Sequence, residues 1–182
     1  DNTHYCDPKG LLSLRTAISN QVNATRGLKT NPEQVVVFPG SKPSIGLAQQ
    51  VYCNPGDEVI YPSPGFPIYE SVIEFSGARA VPTPLLEERN FSFDADAVLG
   101  MLNERSRLLI INSPANPTGG AVPKEEIDRL VAGLADFPHV ALLSDEIYSQ
   151  MMYDGHHHTS LLGYPELEDS LLSLIHISEP TS

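Results

Sequence analysis

Tryptophan is absent from the 182 residues, and cysteine occurs only at Cys6 and Cys53. Two thiols cannot make a disulfide framework for a chain this long, so a reducing compartment is expected, and the cytoplasm with it. Basic residues are scarce too: 11 Lys and Arg stand against 23 Asp and Glu, for a formal net charge of -12. Phosphate backbones and anionic membrane surfaces need clustered cations, so neither a nucleic-acid nor a membrane partner is expected. A small phosphorylated ligand stays open, because backbone N–H groups and one or two side chains can hold it. No apolar run reaches the roughly 18 residues of a transmembrane helix. Asp1 to Tyr5 is polar, with no leader pattern and no start methionine, so a non-native N-terminus is expected.

What the sequence does have is an alternation of amphipathic stretches and short apolar runs. Helices are expected over Gly10–Val22, Ser44–Tyr52, Ile68–Phe75, Asp94–Leu102 and Pro123–Asp136. Gly77 suits the left-handed position that closes the third of these, and Pro123 the first position of the last. Strands are expected at Val35–Phe38, Glu58–Tyr61, Ala78–Pro82, Arg107–Asn112 and Val140–Leu143. Such runs carry no polar face, the mark of a mostly parallel sheet covered on both sides. The fold class is therefore α/β, a three-layer α/β/α arrangement with one core. In such sheets ligands sit beyond the C-terminal strand ends, here the segments 39–42, 112–119 and 144–148. The tail Leu172–Thr181 matches the in-frame translation of a transposase adapter used in short-read sequencing, so residues 172–182 are expected to be non-native.

Each chemically suggestive residue has a plain reading beside the functional one. Asp145 follows an apolar strand: it can cap a helix, or pair with a cationic heterocycle nitrogen and keep it protonated. Tyr148 can donate to an oxygen of the same ligand, or simply pack. Gly40, Ser41 and Lys42 lie between a strand and a helix, where a phosphate could sit; Lys42 could equally be a solvated surface charge. Asn116 is flanked by Pro114 and Pro117, which would fix its amide unless the segment is only a turn. Phe66, on a stiff Pro-Gly-Phe-Pro loop, can stack on a flat ring or join the core. The run His156–His158 lacks metal-ligand spacing, so no metal is expected. The sequons at Asn23 and Asn90 are taken as chance, and neither cysteine has a base pattern beside it.

Asn116-Pro-Thr-Gly119 followed by Ser144-Asp-Glu-Ile-Tyr148, each after an apolar strand, resembles the class I/II aminotransferases, which are fold-type I pyridoxal-phosphate enzymes. The resemblance runs from about Tyr5 to Leu171. It implies pyridoxal 5'-phosphate as cofactor. Asp145 would lie at its pyridine nitrogen, Tyr148 and Asn116 at its phenolic oxygen, and Phe66 on its ring. Gly40, Ser41 and Lys42 would surround its phosphate, and Tyr5 would reach the cofactor of a second subunit in a homodimer. Asp145 and Tyr148 are the implied catalytic residues.

Two departures stand out. The family's Schiff-base lysine is expected within Glu168–Ser182, which has no lysine. The family's N-terminal arm and its small domain with a substrate-carboxylate arginine are also not matched. Residues 1–171 are therefore expected to be a truncated, inactive part of a large cofactor-binding domain. The whole protein is expected to move an amino group between an amino acid and a 2-oxo acid in amino-acid metabolism. The alternatives are a pyridoxal-phosphate-dependent carbon–sulfur β-lyase and a non-catalytic binding protein of the same fold.

Overall fold

The computed structural model describes residues 4–175. Five helices of more than one turn lie within them: α1 (Leu12–Arg26), α2 (Ser41–Tyr52), α3 (Ile68–Phe75), α4 (Ala95–Met101) and α5 (Lys124–Leu134). The strands are β1 (Glu58–Ser63), β2 (Arg79–Pro84), β3 (Ser106–Asn112), β4 (Ala141–Asp145) and β5 (Leu171–Leu174). They form one parallel sheet in the order β2-β1-β3-β4-β5. None of the described helices is long and apolar enough to cross a membrane.

Alternation along the central strands divides the core. Ile60, Leu109, Ile111 and Leu142 face Val98 of α4 and Ile127 and Leu130 of α5. Val59, Tyr61, Leu108, Ile110 and Leu143 face Ile45 of α2 and Tyr69 and Ile73 of α3. Both faces are covered, so the strands can be apolar throughout. The close fit should make even one methylene count. Ile127→Val, at a position 1% exposed, is expected to lower unfolding free energy by about 1 kcal/mol. Urea denaturation checks this, and an unchanged midpoint would contradict the packing.

From β1 the chain moves outward to β2, then crosses back to β3 and on to β4. The direction of winding reverses between β1 and β3, which opens a crevice at the C-terminal strand ends. The loops after β1 and β3 and the turn after β4 all converge there.

Some expectations are corrected. Val35–Phe38 is not a strand: Val36 is 48% exposed, and apart from bonds to Pro32 and Gly40 beside it the segment's backbone is tied by Val37 N–H to Lys9 O at 2.9 Å. β-branched residues favour an extended backbone, but among the described residues no strand pairs with this segment. Ser41 and Lys42 belong to the first turn of α2 rather than to the loop before it. Pro123 caps α5 instead of occupying its first turn. α1 continues past Val22 to Arg26 and ends on Gly27 at φ 69°. Within the stretch expected to be non-native, an expectation that concerns origin and not fold, Leu172–Leu174 form most of β5, paired in register with Leu143–Asp145. The rest of that stretch, from His176, lies outside the described residues.

Candidate active site

Asp145 is the last residue of β4 and is 1% exposed. Its main-chain carbonyl accepts Asn112 Nδ2–H at 3.0 Å and Ser113 N–H at 3.3 Å. Asn112 Oδ1 in turn accepts the Asn116 N–H at 2.7 Å. One side chain at the end of β3 thus ties the Asn116 loop to the Asp145 strand. That loop closes on itself through Ala115 N–H to Gly120 O at 2.8 Å. At Gly120 an added Cβ would lie 2.6 Å from Asn90 O and 2.7 Å from Phe91 O, so only glycine lets the loop sit this close.

The Asp145 carboxylate accepts the Tyr69 hydroxyl at 2.6 Å on Oδ2 and Ile147 N–H at 3.4 Å on Oδ1. Burial pushes its proton affinity above the ordinary carboxylate value. The bonds from Tyr69 and Ile147 work against that rise, and the nearby Glu146 charge adds to it. No cation pairs with this carboxylate among the described residues. Tyr69, on the first turn of α3, meets the Phe66 ring edge-on at 5.8 Å.

Asp145, Tyr69, Phe66, Asn112, Asn116, Ser41, Ile147 and Tyr148 line a cavity of about 130 Å³. Asn116 and Tyr148 also line a neighbouring, more apolar cavity of about 380 Å³, with Pro114, Met151 and Tyr153. Gly40, at φ 90°, precedes α2, whose first turn has no side-chain cap. Its leading N–H groups are therefore free to meet an anion.

The next residue along faces the other way. Glu146, 1% exposed, accepts Arg26 at 2.6 Å, His158 Nε2 at 3.1 Å and the Ser160 hydroxyl at 2.7 Å on Oε2. Its Oε1 accepts the Ser144 hydroxyl at 2.9 Å and Leu161 N–H at 3.1 Å. Burial is the largest single influence and raises its proton affinity. The His158 bond, the Arg26 charge and the Ser160 bond together outweigh it and hold Glu146 below the ordinary carboxylate value.

Of the residues singled out in the sequence, Ser41, Phe66, Asn116, Asp145 and Tyr148 meet at one cavity. Gly40 adjoins it through Ser41. Lys42 is exposed and is not part of the lining, and Tyr5 is fully exposed away from it. Sequence reasoning missed Tyr69, Asn112 and the Glu146 cluster. For Tyr69 the only signal was its position three residues after Phe66, and for Asn112 its position four before Asn116.

Known proteins resemble this chain over nearly its whole length. The family described as aminotransferase class I and II matches residues 1–178. The arginine–pyruvate transaminase of Pseudomonas aeruginosa is 35% identical over 178 residues, covering 98% of the chain and 45% of that protein. The aspartate/prephenate aminotransferase of Thermus thermophilus is 37% identical over 155 residues, 85% of the chain and 40% of that protein. Among solved structures, the N-succinyldiaminopimelate aminotransferase of Mycobacterium tuberculosis superposes with a TM-score of 0.89 at 30% identity, over 95% of the chain and 45% of that structure. The Thermus thermophilus aspartate aminotransferase solved with maleate gives 0.87 at 32% identity, over 95% and 44%. The chain spans less than half the length of each of these relatives.

Proposed function

The chain belongs to the aminotransferase class I and II family, and from that premise we propose that its cavity binds pyridoxal phosphate and that the whole protein is a transaminase. The observation that carries this reading is Asp145: a carboxylate 1% exposed, without a counter-cation among the described residues, on the wall of a polar cavity. A cationic ring nitrogen is the ligand group that best compensates such a charge. Asn116 and Tyr148 offer donors for a phenolic oxygen, and the Phe66 ring offers a face for a flat heterocycle. Gly40, Ser41 and the first-turn N–H groups of α2 offer an anion site for a phosphate, with Lys42 nearby as a further charge.

Pyridoxal phosphate, when bound, supplies a carbonyl for the amino group and a ring that withdraws electrons from the substrate Cα. Asp145 keeps the proton on the ring nitrogen, Asn116 and Tyr148 fix the ring's orientation, and Phe66 closes one side of it. The substrates are an amino acid and a 2-oxo acid. Tyr5, fully exposed here, serves a second copy in a homodimer, and the protein acts in the cytoplasm.

Titrating the whole protein with pyridoxal phosphate, followed by absorbance, tests the reading. Amino-acid addition should then convert the bound chromophore, and a 2-oxo acid should restore it. Phe66→Ala is expected to weaken cofactor affinity about 10-fold through loss of ring contact. Failure of the wild-type protein to bind the cofactor at micromolar concentration would end the proposal.

A further inference from the structure

The two oxygens of Asp145 have unequal surroundings. Oδ2 accepts the Tyr69 hydroxyl at 2.6 Å, a short bond of the charge-assisted kind. Oδ1 accepts only Ile147 N–H, at 3.4 Å, which is long and weak. Tyr69 has little freedom to leave. It is 1% exposed, sits on the first turn of α3, and its ring is held edge-on against Phe66 at 88° between the planes. Burial and the adjacent Asp145 charge push its phenol well above the ordinary tyrosine value, so it remains a donor. The other titratable groups facing this pair are Glu146 and Tyr148, both from the segment of Asp145 itself. Asn112 from β3 and Ser41 from α2 bring no charge.

We infer that Tyr69 is a positioning residue: it occupies Oδ2, holds Asp145 in its ionised form, and leaves Oδ1 as the oxygen that meets the cofactor's ring nitrogen. The inference rests on the cofactor reading above. Without the Tyr69 hydroxyl a buried carboxylate loses its one strong donor and takes up a proton more readily. A neutral Asp145 cannot offset a pyridinium charge, so the ring nitrogen would lose its proton at lower pH. Because the ring of Tyr69, not its hydroxyl, makes the packing contacts with Phe66, the two roles can be separated.

The test follows the 13C carboxyl signal of Asp145 against pH in the whole protein without cofactor, assigned by its loss in Asp145→Asn. In Tyr69→Phe the midpoint is expected to rise by about one pH unit or more. Site-specific 3-fluorotyrosine at position 69, a stronger donor of nearly the same shape, should move it the opposite way. With 15N-labelled pyridoxal phosphate bound, the ring nitrogen of Tyr69→Phe should deprotonate at lower pH than in the wild type. Should Tyr69→Phe fail to fold, the fluorotyrosine protein decides alone. An Asp145 midpoint that ignores both changes overturns the inference. A midpoint that moves while the ring-nitrogen signal stays fixed overturns it too, since Tyr69 then does not act on the cofactor. If both hold still but the wild type binds pyridoxal phosphate and turns over, the cofactor reading survives and only the role of Tyr69 falls. A wild type that does not bind pyridoxal phosphate overturns both.

Discussion

Asp145→Asn in the whole protein is expected to cut turnover about 10²-fold or more while the protein unfolds no earlier than the wild type at neutral pH. The kinetic part follows from charge. Asn keeps the shape and can still accept the Tyr69 hydroxyl, but it cannot compensate a protonated ring nitrogen, and that compensation matters most as electron density leaves the substrate Cα. The stability part follows from burial. Asp145 holds its proton more tightly when folded than its ordinary value of 3.8. The folded state therefore binds the proton more strongly than the unfolded one, and this residue's contribution to stability declines as pH rises from the unfolded value through the folded one. Replacing it with a neutral amide removes that decline. The competing role, a helix cap, would instead lose about 1 kcal/mol on substitution. The chain after β4 forms a turn and not a helix, so Asp145 has no helix N-terminus to cap. Single-turnover proton abstraction and a denaturation curve on the same variant decide the matter. Wild-type abstraction with a loss near the cap value would end the cofactor assignment.

What was legible in the sequence was whatever is decided locally. α3 ends where Gly77 adopts φ 79°, and only the local pattern was needed to see it. β3 and β4 could be read because both their faces are buried, which leaves no polar residue to blur the run. The cavity's Asp145, Asn116 and Phe66 could be singled out because each stands at a strand end or on a proline-stiffened loop, and Tyr148 because it follows Asp145 by three residues. Tyr69 could not, because its partner lies 76 positions away and nothing in its own helix requires a hydroxyl. Asn112 was read only as the junction of a strand and a loop, since its amide acts across 33 positions on the backbone of Asp145. Val35–Phe38 misled for the complementary reason: three consecutive valines favour an extended backbone, but a strand also needs a neighbour.

Glu146→Ala is expected to destabilise the protein by about 3–5 kcal/mol, the usual cost of breaking one side of a buried ion pair. The partner left behind is Arg26, whose side chain is only 10% exposed and would be left without its carboxylate at the C-terminal end of α1. Glu146→Gln should also be costly. Both carboxylate oxygens accept from donors: Ser144 and Leu161 on one, Arg26, His158 and Ser160 on the other. Whichever way the amide is turned, its NH₂ faces an obligate donor, Leu161 N–H on one side or the Arg26 guanidinium on the other, and that donor loses its acceptor. The pH dependence has a definite sign. Glu146 is held below its ordinary value of 4.5, so its stabilising contribution is present above that value and disappears as pH falls through the lower folded one. The gap between wild type and Glu146→Gln should accordingly be full at neutral pH and narrow in acid. Guanidinium denaturation across that range measures it, and a gap that stays constant in acid, or one below about 1 kcal/mol at neutral pH, would contradict the network. The turn from Glu146 to Ser149 carries Tyr148 and is closed by Ser149 N–H to Glu146 O at 2.9 Å. Loosening its anchor should therefore move Tyr148 relative to Asp145, and turnover should fall in Glu146→Gln even where the protein is still folded. This ties the buried charge cluster on one side of the strand to the chemistry on the other.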